Sequence, residues 1–169
     1  MAWQAGGVVR ISCDPGLTAT GLALWGADNK LRLSTHFCGL KAEGMPAHQR
    51  VCELSARVKY WLEKLPTKTE EICVEMPRYF QGSVANASQD IVSLCLMTGA
   101  LCQVFSERAG VLQVKAVQIA DWKGTLPKAI SYERTRTKFQ ALRLGTFPKN
   151  EHEADAVGIG MHHFLGVNI

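Results

Sequence analysis

The sequence predicts an α/β domain on a five-stranded mixed sheet, three antiparallel strands followed by parallel strands, flanked by helices. Three observations carry this. Residues 8–40 hold three β-prone apolar runs separated by short turn-forming links. From Pro46 the apolar period lengthens to that of a helix, and a short strand at 71–76 follows, which implies a crossover. A long apolar helix, a fifth strand and two further helices complete the chain.

Taken in order, Val8, Val9, Ile11 and Cys13 supply the strand at 8–14, and Asp14 closes it just before Pro15 and Gly16 force a turn. A second apolar run covers 20–26, and Ala27, Asp28 and Asn29 form a hairpin link. Over 30–40, Leu31, Leu33, Thr35 and Phe37 alternate with more polar partners as in a half-exposed strand. Over 46–65, Val51, Leu54, Val58, Trp61, Leu62 and Leu65 share one stripe of an amphipathic helix that begins with a proline and stops before Pro66. The strand at 71–76 ends in Glu75; parallel to the first strand, it places Asp14 and Glu75 at the same sheet edge.

Residues 78–82 read as a loop and 83–108 as a long helix. Ile91, Leu94, Thr98, Leu101 and Phe105 form its sheet-facing stripe, with Val92, Leu96, Gly99 and Ala100 opposite. That second stripe needs cover from a symmetric partner subunit or from the C-terminal helix. Residues 111–117 read as the fifth strand, 119–127 as a loop, 131–144 as a basic helix and 150–164 as a final helix. Asn150 or a neighbour caps the last helix, and acidic residues in its first turn suit the helix dipole.

A length of 169 residues fits one domain, 1–169, with a real core. Hydrophobic content of 47% with 20% charged residues is ordinary for a soluble globular protein, and the lack of a spanning apolar run or signal segment points to an intracellular one. The six cysteines show no CxxC pairing and mostly sit in apolar runs, so they read as small buried hydrophobes in a reducing compartment rather than as a zinc site. Of the net charge, the stretch from Lys115 to Lys149 carries eight basic residues against two acidic ones. Such a run is either a solvated face or a surface for a polyanion such as nucleic acid.

Asp14 alone fits a turn-forming Asp-Pro-Gly as well as a ligand. With Glu75 closing a second apolar strand and Asp155 near the start of an apolar helix, three carboxylates in comparable settings suggest a metal site. His152 and Asp155, three apart, share a helix face; Glu151 and Asp155, four apart, also share one, while Glu153 points away. Lys123 and Lys128 flank a Gly-Thr-Leu-Pro turn within reach of phosphates near that site, and Arg134, Arg136 and Lys138 extend the contact along a strand. Tyr79 and Phe80 either stack on an unpaired base or pack under their loop.

The order of elements is that of the ribonuclease H-like fold. The stretches ISCDPGLTATG (11–21), ICVE (72–75) and HEADAVGIG (152–160) resemble the RuvC-like Holliday-junction resolvases over nearly the whole chain, and WKGTLPK (122–128) is similar to the versions in phages and related bacterial elements. The resemblance implies four metal-site and catalytic positions, Asp14, Glu75, His152 and Asp155, with Glu151 as the local rival of His152. Many members carry a carboxylate where this chain has His152. It also implies a homodimer, here through the helix at 83–108, acting on branched DNA in the cytoplasm of a bacterial or phage-infected cell with no membrane partner. Arg78, Tyr79, Phe80, Lys123, Lys128, Arg134, Arg136 and Lys138 are the expected DNA contacts.

Oxygen ligands with a single imidazole favour Mg²⁺ or Mn²⁺, and two such ions suit in-line hydrolysis to 5′-phosphate and 3′-hydroxyl ends, while the two sites of a dimer suit paired nicks. The DPGLTATG turn also resembles the phosphate-binding hairpin of sugar kinases and actin-like ATPases, but those need a second domain for which this chain is too short. Processing of structured RNA is the alternative nuclease reading, and a catalytically weak junction-binding module is the alternative without catalysis.

Overall fold

The structure, a computed structural model, describes residues 9–39, 45–65, 68–77, 85–108 and 113–169. Its elements are β1 (Val9–Asp14), β2 (Ala19–Gly26), β3 (Leu31–Cys38), α1 (Ala47–Lys64), β4 (Thr69–Met76), α2 (Ala85–Ser106), β5 (Gln113–Gln118), α3 (Ile119–Trp122), α4 (Lys128–Ala141) and α5 (Glu151–Leu165). The sheet runs β3-β2-β1-β4-β5. β2 is antiparallel to both β1 and β3, while β4 is parallel to both β1 and β5. Helix α1 is the crossover between β1's side of the sheet and β4, as a parallel pairing requires.

Period-two alternation divides the central strands between two cores. Ile11, Leu22, Leu24, Ile72 and Val74 face α1 and α2, where Val51, Leu54, Val58, Met97, Leu101 and Phe105 meet them. The opposite residues, Ala23, Trp25 and Cys73, face α5 and its neighbours through Ala156, Val157, Ile159, Phe139 and Trp122. Both faces are covered, which is why β1 and β2 read as nearly continuous apolar runs.

Helix α5 lies unusually close to the sheet, and its position fixes the site described below. A Cβ on Gly160 would come within 2.4 Å of the Trp25 ring nitrogen and 2.6 Å of Ser12 Oγ. In the space this leaves, Trp25 Nε1 donates to Ser12 Oγ (2.9 Å), which in turn donates to the Ala156 carbonyl (2.6 Å). Asn150 caps α5 by accepting from the His152 and Glu153 amides, and Gly166 ends it in the left-handed conformation (φ 66°).

Several expectations need correction. The segment 119–127 is not all loop: α3 forms there because Gln118 and Asp121 make a reciprocal capping box over a buried Trp122. Helix α4 begins at Lys128, not Ser131, since Pro127 precedes it with a compatible φ of −55°. Cys38, Cys52 and Cys95 are exposed; only Cys13 and Cys73 are buried, and Cys102 lies between. Ala100 packs against the α1–α2 core instead of the outward stripe, where Val92 (60% exposed) and Leu96 (52%) stand with Cys95 and Gly99. No helix among the described residues is long and apolar enough to cross a membrane.

Candidate active site

Cys13 pairs with Val74 in the parallel β1–β4 ladder, so Asp14 and Glu75 leave adjacent strands at the same carboxyl edge. Both are nearly buried, at 9% and 8% exposure. The turn after Asp14 is tied by Thr20, whose hydroxyl donates to the Gly16 carbonyl (3.0 Å) and accepts from the Gly16 amide (3.4 Å). Gly21, opposite Asp14 on β2, lets α5 approach: a Cβ there would sit 1.9 Å from the His152 carbonyl oxygen.

This approach brings the start of α5 to the two strand ends. His152 Nδ1 lies 3.3 Å from Asp14 Oδ2. The Asp155 carboxylate is 3.7 Å from Lys123 Nζ, and the same ammonium is 3.6 Å from Glu75 Oε2. Trp122 Nε1 donates to Glu75 Oε2 (2.9 Å), and Lys123 lies over the Trp122 ring at 4.4 Å. A cavity of about 300 Å³ is lined by Asp14, His152 and Asp155 together with Lys123, Lys128 and Ser131.

Burial in this partly dry site makes Glu75 and Asp155 reluctant to ionise. Burial pushes Glu75 up to about 7, with Asp14 and Asp155 adding repulsion, while Lys123 and the Trp122 N–H oppose the rise. Burial likewise raises Asp155, opposed by Lys123 and reinforced by Asp14. The hydrogen bond to Asp14 raises His152 despite its partial burial. Among the described residues, no three His, Cys, Asp or Glu side chains stand at ion-binding spacing. The positive charge between Glu75 and Asp155 is the Lys123 ammonium.

Glu151 turns outward to Lys128 at 2.8 Å, with both side chains more than half exposed. Glu153 points away from the carboxylates and accepts from Ser34 Oγ (2.5 Å), with His36 Nδ1 at 2.7 Å, tying α5 to β3. Along α4, Arg134 and Arg136 are two residues apart and lie on opposite flanks, with Lys138 on the flank of Arg134 and bonded to the Asn168 carbonyl. The three therefore do not form one track. Arg78, Tyr79 and Phe80 lie outside the described residues.

The sequence reading missed Trp122 as the partner of Glu75 and Ser131 as part of the cavity wall. No spacing pattern in the sequence signals either contact, since α3 is only four residues long.

No protein-family model and no curated protein sequence matches the chain. Among solved structures it is similar to Thermus thermophilus RuvC in complex with a Holliday junction substrate, with a TM-score of 0.66, 24% identity and coverage of 93% of this chain and 92% of that one. It is also similar to a second Thermus thermophilus RuvC structure, with a TM-score of 0.63, 23% identity and coverage of 92% and 93%. The chain has the ribonuclease H-like fold of RuvC.

Proposed function

We propose that the protein is a divalent-metal-dependent endonuclease that resolves four-way DNA junctions by paired nicks. It hydrolyses phosphodiesters to 5′-phosphate and 3′-hydroxyl ends. The observation that carries this reading is the meeting of Asp14, Glu75, His152 and Asp155 at the carboxyl ends of β1 and β4, beside a cavity walled by lysines. The likeness in fold to a protein solved with a Holliday junction supports the choice of substrate.

The donor set fits hard divalent ions, three carboxylates with one imidazole, and suits Mg²⁺ or Mn²⁺. Burial raises Glu75 and Asp155, with Asp14 adding repulsion, so bound cations would stabilise their ionised forms. Asp14, Glu75, His152 and Asp155 would hold two ions, which when bound supply charge stabilisation of the attacking and leaving oxygens in an in-line displacement. The Trp122 N–H orients Glu75, and the Thr20-locked turn orients Asp14. Lys123 and Lys128 offer positive charge to phosphates at the cavity they help line.

The exposed stripe of α2 fits a homodimer. A four-way junction is close to two-fold symmetric, and two copies related by a two-fold axis present two sites to opposing strands.

The test is to incubate the protein with a mobile four-way junction, a fork, a hairpin RNA and linear duplex, with Mg²⁺, Mn²⁺ or EDTA. Junction-selective, metal-dependent paired nicks are expected, while preferred cleavage of the RNA would establish the structured-RNA alternative. Asp14→Asn, Glu75→Gln and Asp155→Asn are each expected to abolish cleavage and retain junction binding, because metal ligands and phosphate contacts are separate groups. Wild-type cleavage rates in any of the three would remove the metal assignment.

A further inference from the structure

Ser131 is 1% exposed, and its hydroxyl has no hydrogen-bond partner among the described residues. An unmatched hydroxyl in a protein interior is unfavourable unless something else satisfies it. Ser131 nonetheless lines the candidate active-site cavity, together with Asp14, His152 and Asp155. Leu126 and Lys128 line the same cavity, so the N-terminal end of α4 borders it.

Helix α4 spans fourteen residues, with no side chain capping its start and no acid in its first turn. Its first intrahelical bond runs from the Ser131 amide to the Pro127 carbonyl (3.0 Å), and the three preceding amides, of Lys128, Ala129 and Ile130, have no carbonyl one turn back to accept them. The start of α4, at the positive end of the helix dipole, thus meets the cavity through Lys128 and the Ser131 hydroxyl, with Lys123 in the same lining. Such a set selects a compact oxyanion with several acceptor atoms.

We propose that the first turn of α4 and the Ser131 hydroxyl form a seat for a single phosphate group. Resting on the nuclease reading above, its occupant is a backbone phosphate of the bound DNA. Ser131 is then a substrate-binding residue, and its unpartnered hydroxyl in the free protein is the counterpart of a contact made in the complex.

The test uses the full chain in EDTA. Inorganic phosphate titrated into ¹⁵N-labelled protein is expected to give saturable shifts concentrated at the amides of Lys128, Ala129, Ile130 and Ser131. Ser131→Ala should weaken phosphate binding about tenfold, the size of a lost hydrogen bond to a charged group. Its melting temperature should equal or exceed that of the wild type, since an unmatched hydroxyl has been removed. Junction affinity should fall by a similar factor. Phosphate shifts scattered over surface lysines, or a phosphate affinity indifferent to Ser131→Ala, would overturn the seat whether or not junctions bind. Loss of phosphate affinity with unchanged junction affinity would overturn the backbone-phosphate assignment. Failure of the wild type to bind junctions, with the phosphate result intact, would instead remove the nuclease reading.

Discussion

Glu75 concentrates the electrostatic strain of the site in one side chain. Its folded pKa of about 7 lies above the 4.5 of an unperturbed carboxyl. Between those two values the folded state holds the extra proton, so stability in EDTA should fall as pH rises through that window. The loss amounts to about 3 kcal/mol. Asp155, also raised, contributes with the same sign, and so does His152, whose stabilisation is present below 6.5 and lost as pH passes its elevated folded value. Urea unfolding at pH 4.5 to 8 should show the decline, and Glu75→Gln should remove the greater part of it. An undiminished slope in Glu75→Gln would place the strain elsewhere. Lys123 offsets the same repulsion, so Lys123→Met should lower stability most at high pH, where the carboxylates are ionised. Added Mn²⁺ should stabilise the protein more at pH 8 than at pH 5, read as a shift in melting temperature. His152→Asp should retain cleavage and shift preference toward Mg²⁺, since it replaces nitrogen by oxygen in a set otherwise made of carboxylates.

The contact between α5 and the sheet is where backbone packing sets catalytic geometry. Gly21→Ala would drive a methyl group into the His152 carbonyl, a backbone atom that cannot rotate away. Overpacking of this kind costs about 1–3 kcal/mol. Because the displaced segment carries His152 and Asp155, cleavage should fall further than the change in urea midpoint accounts for; proportionate losses would mean that α5 adjusts without moving the site. Ser12→Ala would leave the buried Trp25 N–H unmatched, with a cost of about 1–3 kcal/mol. Much of this arrangement was legible in the sequence. The helical period of 46–65 between two strands required a parallel β1–β4 pair, which set Asp14 beside Glu75, and helical spacing turned Glu153 away from His152 and Asp155. Contacts across the sequence were not legible, because Trp122 reaches Glu75 from a four-residue helix too short to show a period. On α2, apolar residues on every side left no pattern to show that Ala100 faces inward while Leu96 faces outward.

At the scale of the whole molecule, the unresolved force is the exposed apolar stripe of α2. The described residues show no packing of α5 against it: α5 meets the opposite face of the sheet, through β1 and β2, while α2 lies with α1. Under the homodimer proposed above, Val92 and Leu96 meet their symmetry mates, and Leu96→Glu would bury like charges across a two-fold axis. Monomers in sedimentation are expected for that variant, with junction nicking retained in part but paired cutting lost; an unaffected dimer would place the interface elsewhere. Pairing also makes a stricter demand on function, because each subunit contributes one complete set of Asp14, Glu75, His152 and Asp155. A heterodimer of a wild-type subunit with an Asp14→Asn subunit should bind a four-way junction as tightly as the wild type. With one active site, it should leave a single nick and no resolved duplexes. If cutting by one subunit depends on the other, the rate of that nick will fall well below half the wild-type rate. If the subunits act independently, it will be half. Tagged heterodimers purified and assayed on a supercoiled plasmid with an extruded cruciform distinguish these outcomes, since one nick gives relaxed circles and two opposed nicks give linear product. Linear product from the heterodimer would show that one site cuts both strands and that the two-fold geometry is not what pairs the nicks.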